Sequence, residues 1–326
     1  MHAGNNMPLY GHSLRASEPL IADVVREALG SRAGVQVRHW YVQDDSYVVA
    51  SVDTTRPAMR LVVKLEIPDK RPHRRFDSMA AIARMVRRQT EVPTFEVIAV
   101  DVSRSTWPCN VLIVTDVTGV TWAELYPRLS PTSRAHAQRQ IGRAAAQIHT
   151  LALDRFGAIE SDASIVGHDA AIAALQAKAR QRIRTPVHRR LMLDLLEHRA
   201  CVFATVAGPQ LTHEDMNPNN LLFEMRDDEP VLSGVLDFES AWAGVADSDL
   251  ARLELWRLTR GPALRDGYAD VADIPAEYVL RRPILQLLWC LEYADDHTST
   301  AHEADTAGVC AEIGIPPIMF KPDATV

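Results

Sequence analysis

The stretch Leu211-Thr-His-Glu-Asp-Met-Asn-Pro-Asn-Asn220, followed by Gly234-Val-Leu-Asp-Phe-Glu239, decides how this chain is read. It sets His213, Asp215, Asn220 and Asp237 in order beside two apolar runs of strand character, 220–224 and 231–237. The polar turn Arg226-Asp-Asp-Glu-Pro230 joins the runs, so a small hairpin is expected. Met216-Asn-Pro-Asn219 cannot keep regular structure across Pro218, which makes the segment before the hairpin a loop that presents side chains. Carboxylates packed beside strands are costly to bury unless paired or metal-bound, so the set demands a chemical reason.

Around this motif, the 326 residues are too many for one small core and imply two lobes. The composition, 47% hydrophobic and 24% charged, is that of an ordinary globular protein. A net charge of −7 argues against a nucleic-acid binder; it suits a cationic small molecule, and simple solubility explains it equally well. Cys109, Cys201, Cys290 and Cys310 form no C-x-x-C pair, which points to a reduced, cytoplasmic protein without structural zinc. No signal-peptide pattern opens the chain, and no window approaches 18 uninterrupted apolar residues, so no membrane span is expected. Only four lysines occur (Lys64, Lys70, Lys178 and Lys321), and any of them in an apolar setting stands out.

The N-terminal part reads as a helix over 17–29, strands over 35–42, 47–52 and 59–67, a helix over 76–88, and strands over 96–100 and 111–116. From Thr121 onward helical periodicity dominates, over 134–150, 170–182, 187–206, 246–258 and 283–296. The expected class is α+β, with two lobes: a β-rich lobe over 1–115 and a larger, mainly helical lobe over 116–326 carrying the hairpin. The first dozen residues and 321–326 are expected to be mobile.

Lys64 lies in Leu61-Val-Val-Lys-Leu-Glu-Ile67, where alternation puts Val62, Lys64 and Glu66 on one face and Leu61, Val63 and Leu65 on the other. Such a lysine either neutralises nucleotide phosphates or snorkels to water from an edge strand. In the central loop, Asp215 is placed to accept a hydrogen bond from a substrate hydroxyl. Asn220 and Asp237 are placed to bind Mg²⁺. The plainer alternative is a structural His213–Asp215 hydrogen bond with Asp237 capping a turn.

These motifs, with Asp247-Ser-Asp-Leu-Ala251, Ala145-Ala-Gln-Ile-His-Thr150 and Leu112-Ile-Val-Thr-Asp-Val-Thr-Gly119, resemble the aminoglycoside phosphotransferase and choline-kinase group of protein-kinase-like enzymes over about 35–290. The resemblance implies a bilobal kinase-like fold and direct transfer of the γ-phosphate of ATP or GTP, with Mg²⁺, to a small-molecule hydroxyl. It makes Asp215 the catalytic aspartate, His213 a stabiliser of its loop, Asn220 and Asp237 metal ligands, and Asp249 a brace for the loop. Lys64 becomes the phosphate-binding lysine; Ser46 falls where the β-phosphate would lie, and Thr115 and Val117 where a backbone carbonyl and N–H meet the base.

Two departures stand out: Met79 occupies the place of the usual helix glutamate, with Asp77 the nearest carboxylate, and Gln43-Asp-Asp-Ser-Tyr47 holds no glycine. Downstream, Trp289, Glu292, Asp295 and Asp296 are expected to shape the acceptor pocket, the acidic groups binding ammonium groups of an aminoglycoside; a helix with an apolar face and a solvated acidic end is the alternative. An antibiotic acceptor leads, aminoglycoside-type or nucleoside-type, giving resistance or self-protection. A metabolite kinase for choline, a sugar or an amino alcohol, and a nucleotide-binding pseudokinase, are the alternatives. Neither nucleic acid nor membrane is an expected partner, and the enzyme would act as a monomer or homodimer.

Overall fold

The structure, a computed structural model, describes residues 17–30, 32–67, 75–294, 299–318 and 320. The expected mobile termini, and Asp295 and Asp296, lie outside the described residues. The chain divides into two compact units, Met1–Met85 with Phe95–Val117 and Val86–Thr94 with Thr118–Val326.

In the first unit, helix α1 (Glu18–Leu29) starts where Ser17 accepts the Leu20 N–H on its hydroxyl and stops at Gly30, whose φ of 94° is left-handed. Strands β1 (Val35–Gln43), β2 (Tyr47–Thr55) and β3 (Ala58–Glu66) form a meander; helix α2 (Phe76–Gln89) leads to β4 (Val97–Asp101) and β5 (Asn110–Thr115). The sheet is antiparallel in the order β1-β2-β3-β5-β4, which makes β3 its central strand. Alternation along β3 sends Leu61, Val63 and Leu65 into a core with Ile21 and Val25 of α1 and Val48 and Val52 of β2. Each such side chain stabilises the unit by about 1.5–3 kcal/mol.

The second unit opens with β6 (Val120–Thr121), α3 (Trp122–Leu125) and the long α4 (Pro131–His149), then β7 (Phe156–Ile159), β8 (Ile165–His168), α5 (Ala171–Arg182) and α6 (Pro186–His198). It continues through β9 (Gln210–Thr212), β10 (Leu221–Arg226), β11 (Glu229–Val235), β12 (Trp242–Gly244), α7 (Asp247–Leu255), α8 (Pro262–Ala269), α9 (Tyr278–Glu292) and α10 (Thr300–Ile313). The strands form two small sheets, β11-β10-β6 and β8-β7-β12-β9. An antiparallel sheet with helices, and a mainly helical part bearing a hairpin, is the α+β class expected.

The β10–β11 turn is tighter than the five-residue one expected. Asp227 and Asp228 both take left-handed conformations, with φ of 50° and 63°, and strand pairing reaches Arg226 opposite Glu229. Two positive φ values give the turn a twist that matches the strands. Pro230 is tolerated because β11 is an edge strand, and Gln140 of α4 holds that edge, donating to the Pro230 carbonyl (2.7 Å) and accepting the Leu232 N–H (2.9 Å).

Four helices depart from their expected limits, among them α7, which ends at Leu255, short of 258. Helix α4 begins at Pro131, earlier than 134, because Ser130 caps it and proline suits the first turn. Helix α6 stops at His198; beyond it Val202, Ala204 and Val206 each donate three residues back, so the tail to 206 is a series of tight turns. Helix α9 starts at Tyr278 and carries Pro283 inside it. Among the described residues no helix is long and apolar enough to cross a membrane.

Helices α4 and α8 approach so closely that a Cβ on Gly142 would lie 2.0 Å from the Leu264 carbonyl oxygen, and one on Gly267 would lie 1.9 Å from that of Arg139. Backbone oxygens cannot yield as a side-chain tip can. Gly142→Ala is therefore expected to destabilise the protein by about 1–3 kcal/mol, read as a lower urea midpoint. An unchanged midpoint would refute the close crossing.

Candidate active site

The hairpin brings the two metal-binding candidates to one end. Leu221 pairs with Val235, and the Leu236 N–H donates to the Asn220 carbonyl at 2.8 Å, so Asn220 and Asp237 flank the same closure. Asp237 has φ 64° and ψ 72°, a left-handed conformation that costs about 1–2 kcal/mol for a residue with a Cβ. Strain of this kind persists where the surroundings over-determine the backbone.

Strand β9 feeds the loop that begins at His213. Asp249, in the first turn of α7, receives the loop's backbone: His213 N–H donates to Oδ2 at 2.6 Å and Glu214 N–H to Oδ1 at 2.7 Å. His149, at the end of α4, donates from Nε2 to the same Oδ2 at 3.0 Å, and its Nδ1 meets the Tyr268 hydroxyl at 2.8 Å. The His213 ring is tied in turn. Its Nδ1 accepts the Asp215 N–H at 3.2 Å, so its proton is on Nε2, which donates to the Leu236 carbonyl at 2.9 Å. His213 thus links the loop to the end of β11 and packs against Phe238, with ring centroids 4.6 Å apart.

The Asp215 carboxylate accepts from Asn217 Nδ2 at 2.9 Å and from Asn220 Nδ2 at 3.1 Å. Asn220 Nδ2 also donates to the Asp215 carbonyl at 2.9 Å. Both amide protons of Asn220 are thereby used, which leaves its Oδ1 as the group available to a cation. Burial pushes the Asp215 carboxyl above the usual carboxylate range and the Asp237 charge adds to this; the Asn217 hydrogen bond and Arg252 oppose it.

Asn220 and Asp237 offer oxygen ligands, the donor type that hard cations such as Mg²⁺ take. Among the described residues no group of three or more His, Cys, Asp and Glu side chains is arranged to hold a metal. Two protein ligands still fit Mg²⁺, which commonly completes its shell with water and phosphate oxygens.

In the first unit, Lys64 is half-buried on the central strand, paired with Val49 and Leu112, so the edge-strand reading is wrong. Met79 is buried in the core, and Asp77 accepts the Ser78 N–H at 2.8 Å and pairs with Arg75 at 3.6 Å. Asp44 closes the β1–β2 turn in place of a glycine, drawing the Ser46 N–H (2.7 Å) and hydroxyl (3.0 Å) and the Tyr47 N–H (2.6 Å) onto one oxygen. Both Ser46 donors are thus engaged with a carboxylate, which works against the expected grip on a phosphate. Thr115 ends the β5 pairing: its N–H donates to the Glu96 carbonyl and its hydroxyl, not its carbonyl, takes the Glu96 N–H. The Val117 N–H lies two residues beyond.

At Glu292 the structure departs from the alternative of a solvated acidic end: the residue is buried among three cations, 3.6 Å from Lys178 Nζ, 3.7 Å from Arg182 and 3.8 Å from Arg252. Trp289 is buried beside it and packs on Trp256 and Tyr293. Lys178 and Arg252 also hold Glu214, at 2.5 and 3.3 Å, and Thr212 donates to the same carboxylate at 2.9 Å. Glu214 has φ 63° and no exposure. The sequence reading gave no role to Glu214, Lys178 or Arg252. The scarcity of lysine, with Lys178 set in the alanine-rich run of α5, was the available signal.

The fold and this loop define a phosphotransferase of protein-kinase-like architecture. The model of the phosphotransferase enzyme family matches residues 39–283, and the chain belongs to that family. Solved structures of the same fold include a thermostable mutant of aminoglycoside phosphotransferase APH(4)-Ia with ADP and hygromycin B (TM-score 0.63, 16% identity, covering 90% of this chain and 96% of that one). Others are a mutant of aminoglycoside 2′-phosphotransferase-IIIa with GDP (TM-score 0.58, 11% identity, 91% and 98% covered) and spectinomycin phosphotransferase APH(9)-Ia with ADP and spectinomycin (TM-score 0.51, 10% identity, 95% and 96% covered). No curated protein matches by sequence.

Proposed function

We propose that this small-molecule phosphotransferase moves the γ-phosphoryl group of ATP or GTP directly onto an acceptor hydroxyl, without a phospho-enzyme. The observation that carries this reading is Asp215, held by two asparagine amides at the end of the hairpin beside Asn220 Oδ1 and Asp237. In this scheme Asp215 orients the hydroxyl and takes its proton, and burial keeps its carboxyl more basic than usual. His213 keeps the loop seated on the Leu236 carbonyl. Asn220 and Asp237 would hold Mg²⁺, which when bound neutralises charge on the phosphate oxygens. Lys64 would neutralise phosphate charge from β3, and the Thr115 carbonyl and Val117 N–H would receive the base. With a loose transition state, orientation is the main service the side chains render.

The acceptor classes are an antibiotic, giving resistance or self-protection in the cytoplasm, or a metabolite alcohol. A catalytically weak nucleotide-binding role is favoured by Met79 in the core and by the engaged donors of Ser46. An acceptor panel, run with ATP and with GTP while nucleotide consumption is followed, separates these. Turnover that chelation abolishes and Mg²⁺ restores is expected. Nucleotide binding without turnover across the panel would leave only the weak-binder role.

A further inference from the structure

The second unit contains a cluster of unpartnered polar atoms beside its catalytic loop. Among the described residues, six buried side-chain atoms with no hydrogen-bond partner gather there: Arg252 Nε and Nη1, Glu292 Oε1 and Oε2, and the indole Nε1 atoms of Trp242 and Trp289. One set of contacts joins their owners. Lys178 lies over the Trp242 ring at 4.8 Å and Arg252 over the Trp289 ring at 5.6 Å, and both cations approach Glu292. Arg252 is 3% exposed and Glu292 8%. Buried polar atoms are nearly always satisfied, and one left bare is costly. Arg182, with 32% of its side chain exposed, marks the side nearest solvent.

The cluster adjoins the reacting group. Glu214, which shares Lys178 and Arg252 with Glu292, immediately precedes Asp215 in the chain. The Arg252 charge reaches Asp215, whose carboxyl it pulls downward against the effect of burial.

The chemistry of the lining selects its occupant. Three cations face two carboxylates, and Glu214 is already satisfied by Lys178, Arg252 and Thr212. The four bare nitrogens are all donors, and the two bare oxygens stand within ion-pair distance of three cations. An ammonium-rich ligand would bring more donors and like charge, whose juxtaposition is unfavourable. A hydroxyl both accepts from Arg252 or an indole N–H and donates to Glu292.

Resting on the phosphotransfer reading above, we propose that this cluster lines the seat of the acceptor and that the seat takes a neutral, hydroxyl-rich small molecule, a sugar or cyclitol type, in preference to a polycation.

The test measures binding and turnover separately, on the full chain saturated with Mg²⁺ and nucleotide. Neutral polyols, carboxylated alcohols and polyammonium aminocyclitols of similar size are compared by saturation-transfer NMR and by nucleotide consumption. Neutral polyols should bind, with acceptor KM at least about tenfold below that of the polyammonium set. Trp289→Phe, which removes the indole donor and part of the ring, should raise the polyol KM about 2–10-fold, and Glu292→Gln about tenfold or more, with nucleotide Kd unchanged. Polyol binding that these substitutions weaken, without turnover, upholds the seat and sinks the kinase reading. Best turnover on polyammonium or carboxylated acceptors overturns the seat and keeps the kinase reading. No polyol binding, or a polyol KM indifferent to both substitutions, means that the six atoms are met by water alone and also overturns it.

Discussion

Asp215→Asn is expected to lower kcat by roughly 10²–10⁴ while nucleotide affinity stays nearly intact. The substitution keeps size and shape but removes the charge and the proton-accepting capacity. Two amides, Asn217 and Asn220, now donate to the two carboxylate oxygens. An asparagine presents one oxygen, so one of those bonds is lost. Asn220 nevertheless keeps its bond to the residue 215 carbonyl at 2.9 Å, and the loop keeps its ties to Asp249, so the fold around the site should stand. Stability helps to separate the effects. Because burial disfavours the ionised carboxyl, neutralising it removes a cost that partly offsets the lost hydrogen bond, and the melting temperature should shift by only a few degrees. Single-turnover kinetics and nucleotide titration check this. Turnover near that of the parent would remove Asp215 from the chemistry.

How much of this was legible in advance follows from where the physics is local. Capping, alternation and turn chemistry act within a few residues, so α1, the β1–β3 meander and the β10–β11 hairpin were readable in outline. The β8-β7-β12-β9 sheet was not, because strands of three or four residues carry too little periodicity to register. Helix α10 was missed although Ser299 caps it and Gly314 ends it in a left-handed conformation. The loop motif was visible, and the resemblance supplied Asp249 of α7 as its brace, but not the His149 and Tyr268 that hold Asp249 in turn, because they come from α4 and α8. Glu292 shows the limit best. A carboxylate near the end of a helix looks solvated from its neighbours in sequence, and only the arrival of Lys178, Arg182 and Arg252 from α5 and α7 makes it interior.

The buried carboxylate next to Asp215 carries the other large expected effect. Glu214→Gln should destabilise the protein by about 3–5 kcal/mol, because Lys178 and Arg252 would keep their charges without the partner now at 2.5 and 3.3 Å. Glu214→Gly tests whether backbone strain or charge dominates. At φ 63° glycine relieves about 1–2 kcal/mol, so a strain-dominated site would gain stability from it. Charge is the larger quantity, and Glu214→Gly is expected to lose stability as well. The double variant Lys178→Met, Glu214→Gln should recover much of the loss, since it removes one of the two stranded cations. Acid unfolding gives an independent check. Burial pushes the Glu214 carboxyl up, but Lys178 and then Arg252 more than reverse this, and it ends well below the usual range. A carboxyl held low when folded contributes stability above its unfolded pKa, about 4.3, and loses it as pH falls toward the folded value. The parent protein should therefore lose stability below about pH 4.3 more steeply than Glu214→Gln. If the two acid-unfolding curves run parallel, the ion pair is not what holds Glu214, and the strained backbone between His213 and Asp215 must be maintained by the Asp249 hydrogen bonds alone.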